Sequence, residues 1–469
     1  MSVRSAEGVA FEATVPLAVV GSGAAGLVAA LTARDAGAEA VIFERDASPS
    51  GSTALSSGLI PAAGTRFQRA KGIADTPELF AKDIQAKAHG EADPAVVEAV
   101  ARTAAPTLEW LADHHGLDFV LLSSFLYPGH SVLRMHAHPQ RTGAALLGAL
   151  LAAARGTGID VVASAKATEL YADPDRRVRG LALLRPDGSV ERIGCSALVL
   201  ACNGFGGNKE MVRRYIPEMA DALYFGHPGN QGDAVRWGEG LGAATRHMGA
   251  YQGHGSVAHP HGILVTWAVM MEGGVQVNSW GRRFSNEHQG YSEQAVAVLS
   301  QPGKIAWNIF DGRCHAIARE FEDYREAEAA GGIRTAADVD ALAAVTGAPA
   351  DALTSTLADI ARYQRGEAAD PYGRDFTRKP LLAPPFFAVK VTGALFHTQG
   401  GLAIDGLARV LRADGTPLPN LFASGGAACG VSGPAVSGYL SGNGLLTAVT
   451  LGRIAGESAA RLVLAARGV

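Results

Sequence analysis

The chain has 469 residues, with 41 Lys and Arg against 45 Asp and Glu, a net charge of −4. Hydrophobic residues are 48% and charged residues 18%, which allows a large buried core and excludes a disordered chain. The mild acidity and the lack of any Lys/Arg-rich run exclude a nucleic-acid partner, and the 58 glycines carry no Gly-X-Y period, which excludes collagen.

In chain order, residues 1–14 carry Glu7 and Glu12 and no apolar run, so they are not read as a signal peptide. Residues 17–21 are a short apolar run entered through Val15-Pro16, which predicts a buried parallel strand. Gly21-Ser22-Gly23-Ala24-Ala25-Gly26 follows, then good helix formers over 27–36, closed by Gly37. Residues 40–44 read as the next strand, which places Glu44 23 residues after the first glycine.

Asp93-Pro94 caps and opens a helix running through Trp110 towards Gly116, and residues 142–155 form another, ended by Gly156. The longest apolar stretch, 143–154, is far shorter than the roughly 20 residues of a membrane span, so no span is expected. His136 and His138 make no metal site by themselves, and none is expected. Residues 166–171, 178–184 and 190–193 read as short strands, and 197–200 as a further buried strand leading into Asn203-Gly204-Phe205-Gly206-Gly207. The stretch 320–365 reads as helical, with Thr335 and Asp338 as a cap pair. Residues 408–412 and 421–423 are strands, and 445–460 a closing helix. Cys195, Cys202, Cys314 and Cys429 form no CxxC, which argues against a zinc ribbon, an Fe–S cluster or attached haem and suits the cytoplasm.

The pattern predicts an α/β protein. A Rossmann-like nucleotide domain is built from residues 1–248 and 392–469, with an α+β substrate (capping) domain inserted at 249–391. In the glycine turn, Gly21 allows the tight turn and Gly23 the approach of a pyrophosphate. Gly26 allows close helix–strand packing, while the helix N-terminus supplies N–H donors. Glu44 is placed to accept from a ribose hydroxyl and would repel a 2′-phosphate, so NADP is disfavoured. The glycine turn alone does not separate FAD from NAD. A second strand and glycine turn, Pro419-Asn420-Leu421-Phe422-Ala423-Ser424-Gly425-Gly426, precedes a helix opening at Ser441-Gly442-Asn443-Gly444-Leu445-Leu446. A long flavin dinucleotide needs this second helix N-terminus at its ring end.

With these segments the chain resembles the FAD-dependent fumarate reductase/3-ketosteroid dehydrogenase superfamily over nearly its whole length. Gly51-Ser52-Thr53-Ala54-Leu55-Ser56-Ser57-Gly58, Gly232-Asp233, Gly281-Arg282-Arg283-Phe284-Ser285-Asn286-Glu287 and His397-Thr398-Gln399-Gly400-Gly401 add to the resemblance. It implies FAD contacts from Gly21, Gly23, Ala25, Gly26, Glu44, Arg45, Ser52, Thr53, Ser57, Gly58, Ala167, Asn203, Gly204 and Asp233. Gly425, Gly426, Ser441, Asn443, Leu445 and Leu446 complete the set. Some members tether flavin through a histidine after the ribose acid; residues 50–58 hold none, so FAD is expected to be non-covalent.

Dicarboxylate reductases of this superfamily hold their substrate with two arginines. The matching positions here are Tyr291 and Tyr439, which removes the bidentate forks that carboxylates favour. The pair resembles the ketosteroid dehydrogenase branch. By that resemblance Tyr291 takes the proton beside a ketone, assisted by Tyr127, and Tyr439 holds the ketone oxygen with a backbone N–H at Asn443. His254 and His397 stand where dicarboxylate-binding histidines would be, which keeps an anion-binding role open. Arg283 and Glu287 are expected to build a turn.

The resemblance thus implies an FAD-dependent oxidoreductase acting on CH–CH groups. It desaturates a cyclic ketone, a steroid or a smaller ring that can carry a carboxylate, and passes electrons to an unidentified acceptor. The alternatives are an enone or fumarate-type reductase and a non-catalytic FAD-binding redox partner.

Overall fold

The computed structural model describes residues 2–467; residues 1 and 468–469 of the expected domain limits lie outside them. The first layer is a nine-stranded sheet. At its centre Val190–Leu200 runs parallel to Ala13–Val20, with Leu198 opposite Ala18, and parallel to Pro417–Ala423, with Leu198 opposite Leu421. The two ends of the chain therefore meet on one strand. Leu17, Ala18, Val19, Leu198, Val199 and Leu200 are fully buried, as in parallel strands covered on both faces.

The strands expected at 190–193 and 197–200 are one element. Its first half pairs antiparallel with Val178–Leu184, and its second half takes Pro417–Ala423 on the same edge. The change of partner, rather than a break in the strand, accounts for the change of sequence pattern.

Helix Asn443–Arg467 lies directly on helix Ala24–Asp35. A Cβ at Gly452 would stand 2.6 Å from the Ala25 carbonyl oxygen, and one at Gly456 would overlap the Ala29 carbonyl. These two glycines let the backbones touch. Helix Pro94–His115 starts at Asp93, whose carboxylate accepts from the Ala95 and Val96 amides, and stops at Gly116 with φ +68°.

The second layer is a seven-stranded sheet. Its spine, Phe386–Thr398, pairs with Tyr251–Ala258, Ile305–Asp311, Ile333–Ala336 and Leu223–Tyr224. The spine continues past residue 391, so the second sheet and the return to the first share one strand. Strand Ile333–Ala336 interrupts the helical stretch expected at 320–365. Thr335 pairs with Phe387 in the sheet, and Asp338 alone caps helix Val339–Thr346 through the Ala341 amide. The β-branched Ile333 and Thr335 fit that pleated edge. The four cysteines are unpaired thiols. Among the described residues no helix is long and apolar enough to cross a membrane.

Several histidines are buried in neutral form. His136 is fully buried, with Nδ1–H donating to the Arg134 carbonyl (2.9 Å) and Nε2 facing the Thr65 hydroxyl (2.8 Å). Burial lowers its pKa to about 4. The unfolded chain therefore binds more protons than the folded one below about pH 6.5, and stability falls as pH drops from there towards 4. His136 alone accounts for up to about 3 kcal/mol of that loss. Thermal unfolding at pH 7.5 and pH 5 is expected to show the drop, and His136→Gln a smaller one; an equal drop in both proteins would count against the assignment.

Candidate active site

A continuous cleft runs from the first glycine turn to the second sheet. Its first end is built by Gly21, Gly23, Ala24 and Ala25. Gly21 has φ +105°, and a Cβ there would lie 2.6 Å from the Ala201 carbonyl oxygen. A Cβ at Gly26 would overlap the Gly21 carbonyl, so this glycine packs helix on strand below the cleft. Helix Ala24–Asp35 has no side-chain cap at Gly23. Thr53 Oγ1 takes the Ala24 amide (3.0 Å), and the next first-turn N–H groups have no partner within the helix.

Glu44 is buried at the end of the next strand. Its carboxylate accepts from the Ser22 amide (3.0 Å), the Ser22 hydroxyl (2.5 Å) and the Asp46 amide (3.0 Å). Arg45 donates to the Gly229 carbonyl (2.7 Å), and Asn203, at φ +65°, donates to Ser52 Oγ (2.9 Å). The charged groups that line the cleft, Glu44, Arg45, Asp46, Lys166 and Asp233, all belong to this end. Uncapped helix amides, a close glycine approach and a buried carboxylate fit the pyrophosphate and ribose of a dinucleotide.

The other end is aromatic. Tyr127, Tyr291 and Tyr439 line it together with His254 and His397. Tyr291 is the first residue of helix Tyr291–Leu299, and its ring centroid is 6.0 Å from that of Tyr439. The Gly444 amide donates to the Tyr439 oxygen at 3.3 Å, which leaves the one Tyr439 hydrogen for Tyr291 or for a group in the cleft. Phe225, Phe396, His254 and Tyr291 form one stacked column, with centroid steps of 4.6, 5.3 and 4.8 Å.

His254 Nδ1 accepts from the Ser256 amide (3.2 Å), which puts its proton on Nε2. Burial lowers His254 to about 3 and His397 to about 4, so both are neutral. Burial pushes Tyr291 up to about 12, against the lowering pull of bonds from Ser441, the Gly442 amide and Tyr439. Burial drives Tyr439 and Tyr127 well above the ordinary phenol value. Tyr291 thus rises least of the three.

The cleft gathers most of the residues picked out by sequence. Gly21, Gly23, Ala25, Glu44, Arg45, Ser52, Thr53, Ser57, Ala167, Asn203, Asp233, Gly425, Gly426 and Leu445 line it. Gly26, Gly58, Gly204, Ser441, Asn443 and Leu446 do not. Gly58 and Gly204 allow close packing against Thr142 and Thr398, and Leu446 is in the core. Asn443 is fully buried beneath the cleft, with Nδ2 on Ser432 Oγ (3.2 Å) and Oδ1 unpartnered. The Asn443 N–H, expected to help hold a ketone oxygen, instead donates to the Leu440 carbonyl (3.0 Å), and the neighbouring Gly444 amide meets Tyr439. Arg283 and Glu287 stay out of the cleft in a buried ion cluster with Asp370 and Arg374. Among the described residues no group of three or more His, Cys, Asp and Glu could hold a metal. Ser22, Asn230, Thr266, Trp267 and Phe396 also line the cleft. Ser22 lies inside the glycine turn and Phe396 beside His397, whereas Thr266 and Trp267 carry no local signal and arrive through the second sheet.

These two ends define an FAD-dependent oxidoreductase acting on carbon–carbon bonds. The chain belongs to the FAD binding domain family, which it matches over residues 17–445. It is 32% identical over 457 residues to a fumarate reductase (cytochrome) of Shewanella frigidimarina, covering 96% of this chain and 77% of that protein. It is 27% identical over 551 residues to the 4-oxocyclohexanecarboxylate 2-dehydrogenase of Sinomonas cyclohexanicum, covering 95% and 93%. Its fold is similar to that of the 3-ketosteroid-Δ4-(5α)-dehydrogenase of Rhodococcus jostii RHA1, with TM-score 0.77, 24% identity and coverage of 98% and 100%.

The purified protein is expected to be yellow and to release FAD into the supernatant on heat or acid denaturation. Flavin kept by the precipitated chain would show a covalent link instead. Glu44→Ala is expected to weaken FAD binding roughly 10- to 150-fold, the equivalent of the ~1.5–3 kcal/mol of a charge-assisted hydrogen bond. Fluorescence titration of the apoprotein measures this, and unchanged affinity would remove Glu44 from the ribose role.

Proposed function

We propose that this protein desaturates a cyclic ketone next to its carbonyl group, in the cleft formed where the 249–391 capping region meets the FAD-binding region. The observation that carries this reading is the aromatic end of the cleft. It holds three phenols, two neutral imidazoles, and no Lys, Arg, Asp or Glu among its lining residues. A dianionic substrate has no cationic fork to bind there, whereas a neutral carbonyl finds a hydroxyl donor.

Tyr439, its oxygen engaged by the Gly444 amide, donates to the ketone oxygen and acidifies the adjacent C–H. Tyr291 as phenolate accepts that proton; its smaller rise in pKa makes it the most readily ionised phenol of the three. Tyr127 packs at this end and assists Tyr291. Bound FAD supplies the two-electron acceptor for the hydride leaving the β-carbon, and a separate electron acceptor closes the cycle. The product is the conjugated ketone. His254 Nε2–H, on the ring stacked against Tyr291, and the Thr266 hydroxyl suit a second acceptor group on the substrate ring, such as a carboxylate. Similarity to a 4-oxocyclohexanecarboxylate dehydrogenase supports a small ring acid of this kind. Four free thiols suit the reducing cytoplasm.

The reverse reaction, reduction of a conjugated ketone, is the second reading. It is favoured by the neutral state of Tyr291 at pH 7, which makes it a proton donor, and by the 32% identity to a fumarate reductase.

Tyr291→Phe and Tyr439→Phe are expected to keep FAD and to slow anaerobic flavin reduction by 4-oxocyclohexanecarboxylate about 10²–10⁴-fold and 10²–10³-fold, respectively. Near-parent rates in both variants would overturn the reading. Loss of stability with an intact chemical step would mean that the phenols only pack.

The parent rate is expected to climb from pH 7 to pH 10, because the base form of a group with pKa about 12 grows tenfold per pH unit. Reduction of the conjugated ketone by prereduced protein is instead expected to stay level over that range. A flat profile for ketone-driven flavin reduction, measured by stopped flow, would exclude Tyr291 as the base.

A further inference from the structure

Tyr291 enters its helix at a sharp corner. Gly290 has φ +155° and ψ +151°, a region open essentially to glycine alone. The Glu293 carboxylate folds back over this corner, where a Cβ on Gly290 would collide with it. Glu293 is almost wholly buried and its Oε2 has no partner. Its Oε1 is paired with Lys87, which reaches across from helix Pro77–Lys87 in the first layer. The Lys87 ammonium also donates to the Gln289 carbonyl (3.0 Å). One ammonium group therefore grips the chain on both sides of the Gly290–Tyr291 corner.

The stem of Lys87 continues the grip. It passes under Gly129, where a Cβ would stand 3.6 Å from the Lys87 Cδ and 2.6 Å from Leu440 Cδ1. Gly129 belongs to the turn after Tyr127, and Leu440 follows Tyr439. The supports of Tyr291 and of the Tyr127 turn thus meet on one side chain, and Leu440 packs on the same turn. Among the described residues two other ion pairs join the layers, Arg141–Glu320 and Lys304–Asp221, with side-chain exposures of 30%/38% and 53%/78%. Lys87–Glu293, at 12%/15%, is the desolvated one; exposed pairs are worth little.

We infer that Lys87 and Glu293 are positioning residues for the phenol site: their buried ion pair fixes Tyr291 opposite Tyr439 and balances the charge beside it. This inference rests on Tyr291 being the proton acceptor. The pair acts in two ways. Sterically it holds a corner that no ladder of backbone bonds holds, and an error of about 1 Å in a reacting group can cost about 10²-fold in rate. Electrostatically, burial is the main opposition to a phenolate at Tyr291 and the Glu293 carboxylate adds to it, while Lys87 faces that carboxylate with the opposite charge. The other groups facing Tyr291 are Tyr439, Tyr127, His254 and Ser441, and those facing Glu293 are His89 and Tyr251.

The test uses FAD-loaded parent, Lys87→Met, Lys87→Arg, Glu293→Gln and Tyr291→Phe, with flavin reduction by 4-oxocyclohexanecarboxylate followed from pH 6.5 to pH 10. Lys87→Met is expected to keep its FAD and lose roughly 10- to 100-fold in rate at saturating ketone. Its rise in rate should move to higher pH, because Glu293 is left uncompensated. Glu293→Gln, which keeps shape and a hydrogen-bond acceptor, should move the rise to lower pH, because Lys87 is left unopposed. Lys87→Arg should recover most of the rate.

Opposite displacements are the signature, since a general loss of packing would lower rates without moving the two profiles apart. If Tyr291→Phe is inactive while both charge variants follow the parent profile, or shift the same way, the positioning role is overturned. If Tyr291→Phe reduces its flavin as fast as the parent, the proton-acceptor reading falls and this inference falls with it. Should Lys87→Met fail to fold, the isosteric Glu293→Gln alone decides through the direction of its shift.

Discussion

The cleft depends on one carboxylate held in a dry interior. Glu287 is fully buried and receives Arg283 through two bonds (2.9 and 2.7 Å), Arg374 at 3.0 Å and the Gln276 amide at 3.1 Å. Burial alone would raise its pKa; the two guanidinium groups outweigh burial and hold it at about 2. Asp370 completes the cluster by accepting from Arg283 (2.6 Å) and from the Arg374 amide (2.9 Å). Removing one member of such a cluster leaves a bare charge in low dielectric, at a typical cost of about 3–5 kcal/mol. The cluster sits just before Tyr291, on a stretch outside both sheets. The Trp267 indole N–H donates to the Glu287 carbonyl (3.2 Å), and His288 bonds the Met270 carbonyl (3.0 Å). A segment without strand pairing is thus fixed by ionic and side-chain bonds, and the phenol at its end inherits that order.

Charge is divided sharply along the cleft. The dinucleotide end carries all five charged lining groups, and the aromatic end carries none. The division follows from the two layers. The first sheet brings strand ends and glycine turns whose side chains are half-exposed, as at Arg45 and Asp46, or held by local hydrogen bonds, as at Glu44. The second sheet supplies Gln252, His254, Phe396 and His397 from two paired strands, Tyr251–Ala258 and Phe386–Thr398. These side chains face an interior where an unpaired charge would be costly. The histidines there have already lost their protons to burial. Such a compartment strengthens each remaining hydrogen bond and, in the proposed reaction, would keep water from the enolate.

The first end was largely legible in the sequence because its features are local. A glycine turn between a strand and a helix, followed by an acid at the end of the next strand, specifies a cradle within about 25 residues, a spacing that a βαβ unit imposes. Helix Pro94–His115 carries its cap and stop signals on itself, and both ends were readable. The longer-range features were less so. Ile333–Ala336 lies in a run rich in Ala and Glu, and becomes a strand only because Phe386–Val389 offers it an edge. Thr266 and Trp267 reach the cleft through the second sheet, and their own sequence neighbourhood does not announce it. The Asn443 N–H closes on the Leu440 carbonyl rather than staying free for a ketone, which depends on how the helix starts, a detail finer than a motif can give. Lys87 and Glu293 lie about 200 residues apart, and only the packing of the two layers joins them.

The phenols show how one side chain takes two roles. Tyr439 accepts from the Gly444 amide, so its one hydrogen is left to be given either to Tyr291 or to a group in the cleft. Tyr291 is approached by Ser441, the Gly442 amide and Tyr439 itself, each of which stabilises negative charge on its oxygen. In the proposed reaction the first environment suits a donor and the second an acceptor, although both rings are buried. Environments that push two titratable groups apart assign acid and base between them. Both phenols meet a single glycine loop, 441–444, with the Gly444 amide on Tyr439 and the Gly442 amide shared between the two. In the proposed reaction that loop also opens the long helix at the flavin end of the cleft. Tyr439, Tyr291 and the cofactor would therefore be registered by the same few backbone atoms, which explains why glycine at 442 and 444 is required. A Cβ at Gly444 would stand 2.5 Å from His397 Nε2, and one at Gly442, where φ is +85°, would press on Pro61 at 2.7 Å. Either side chain would move the loop and separate the donor from the acceptor.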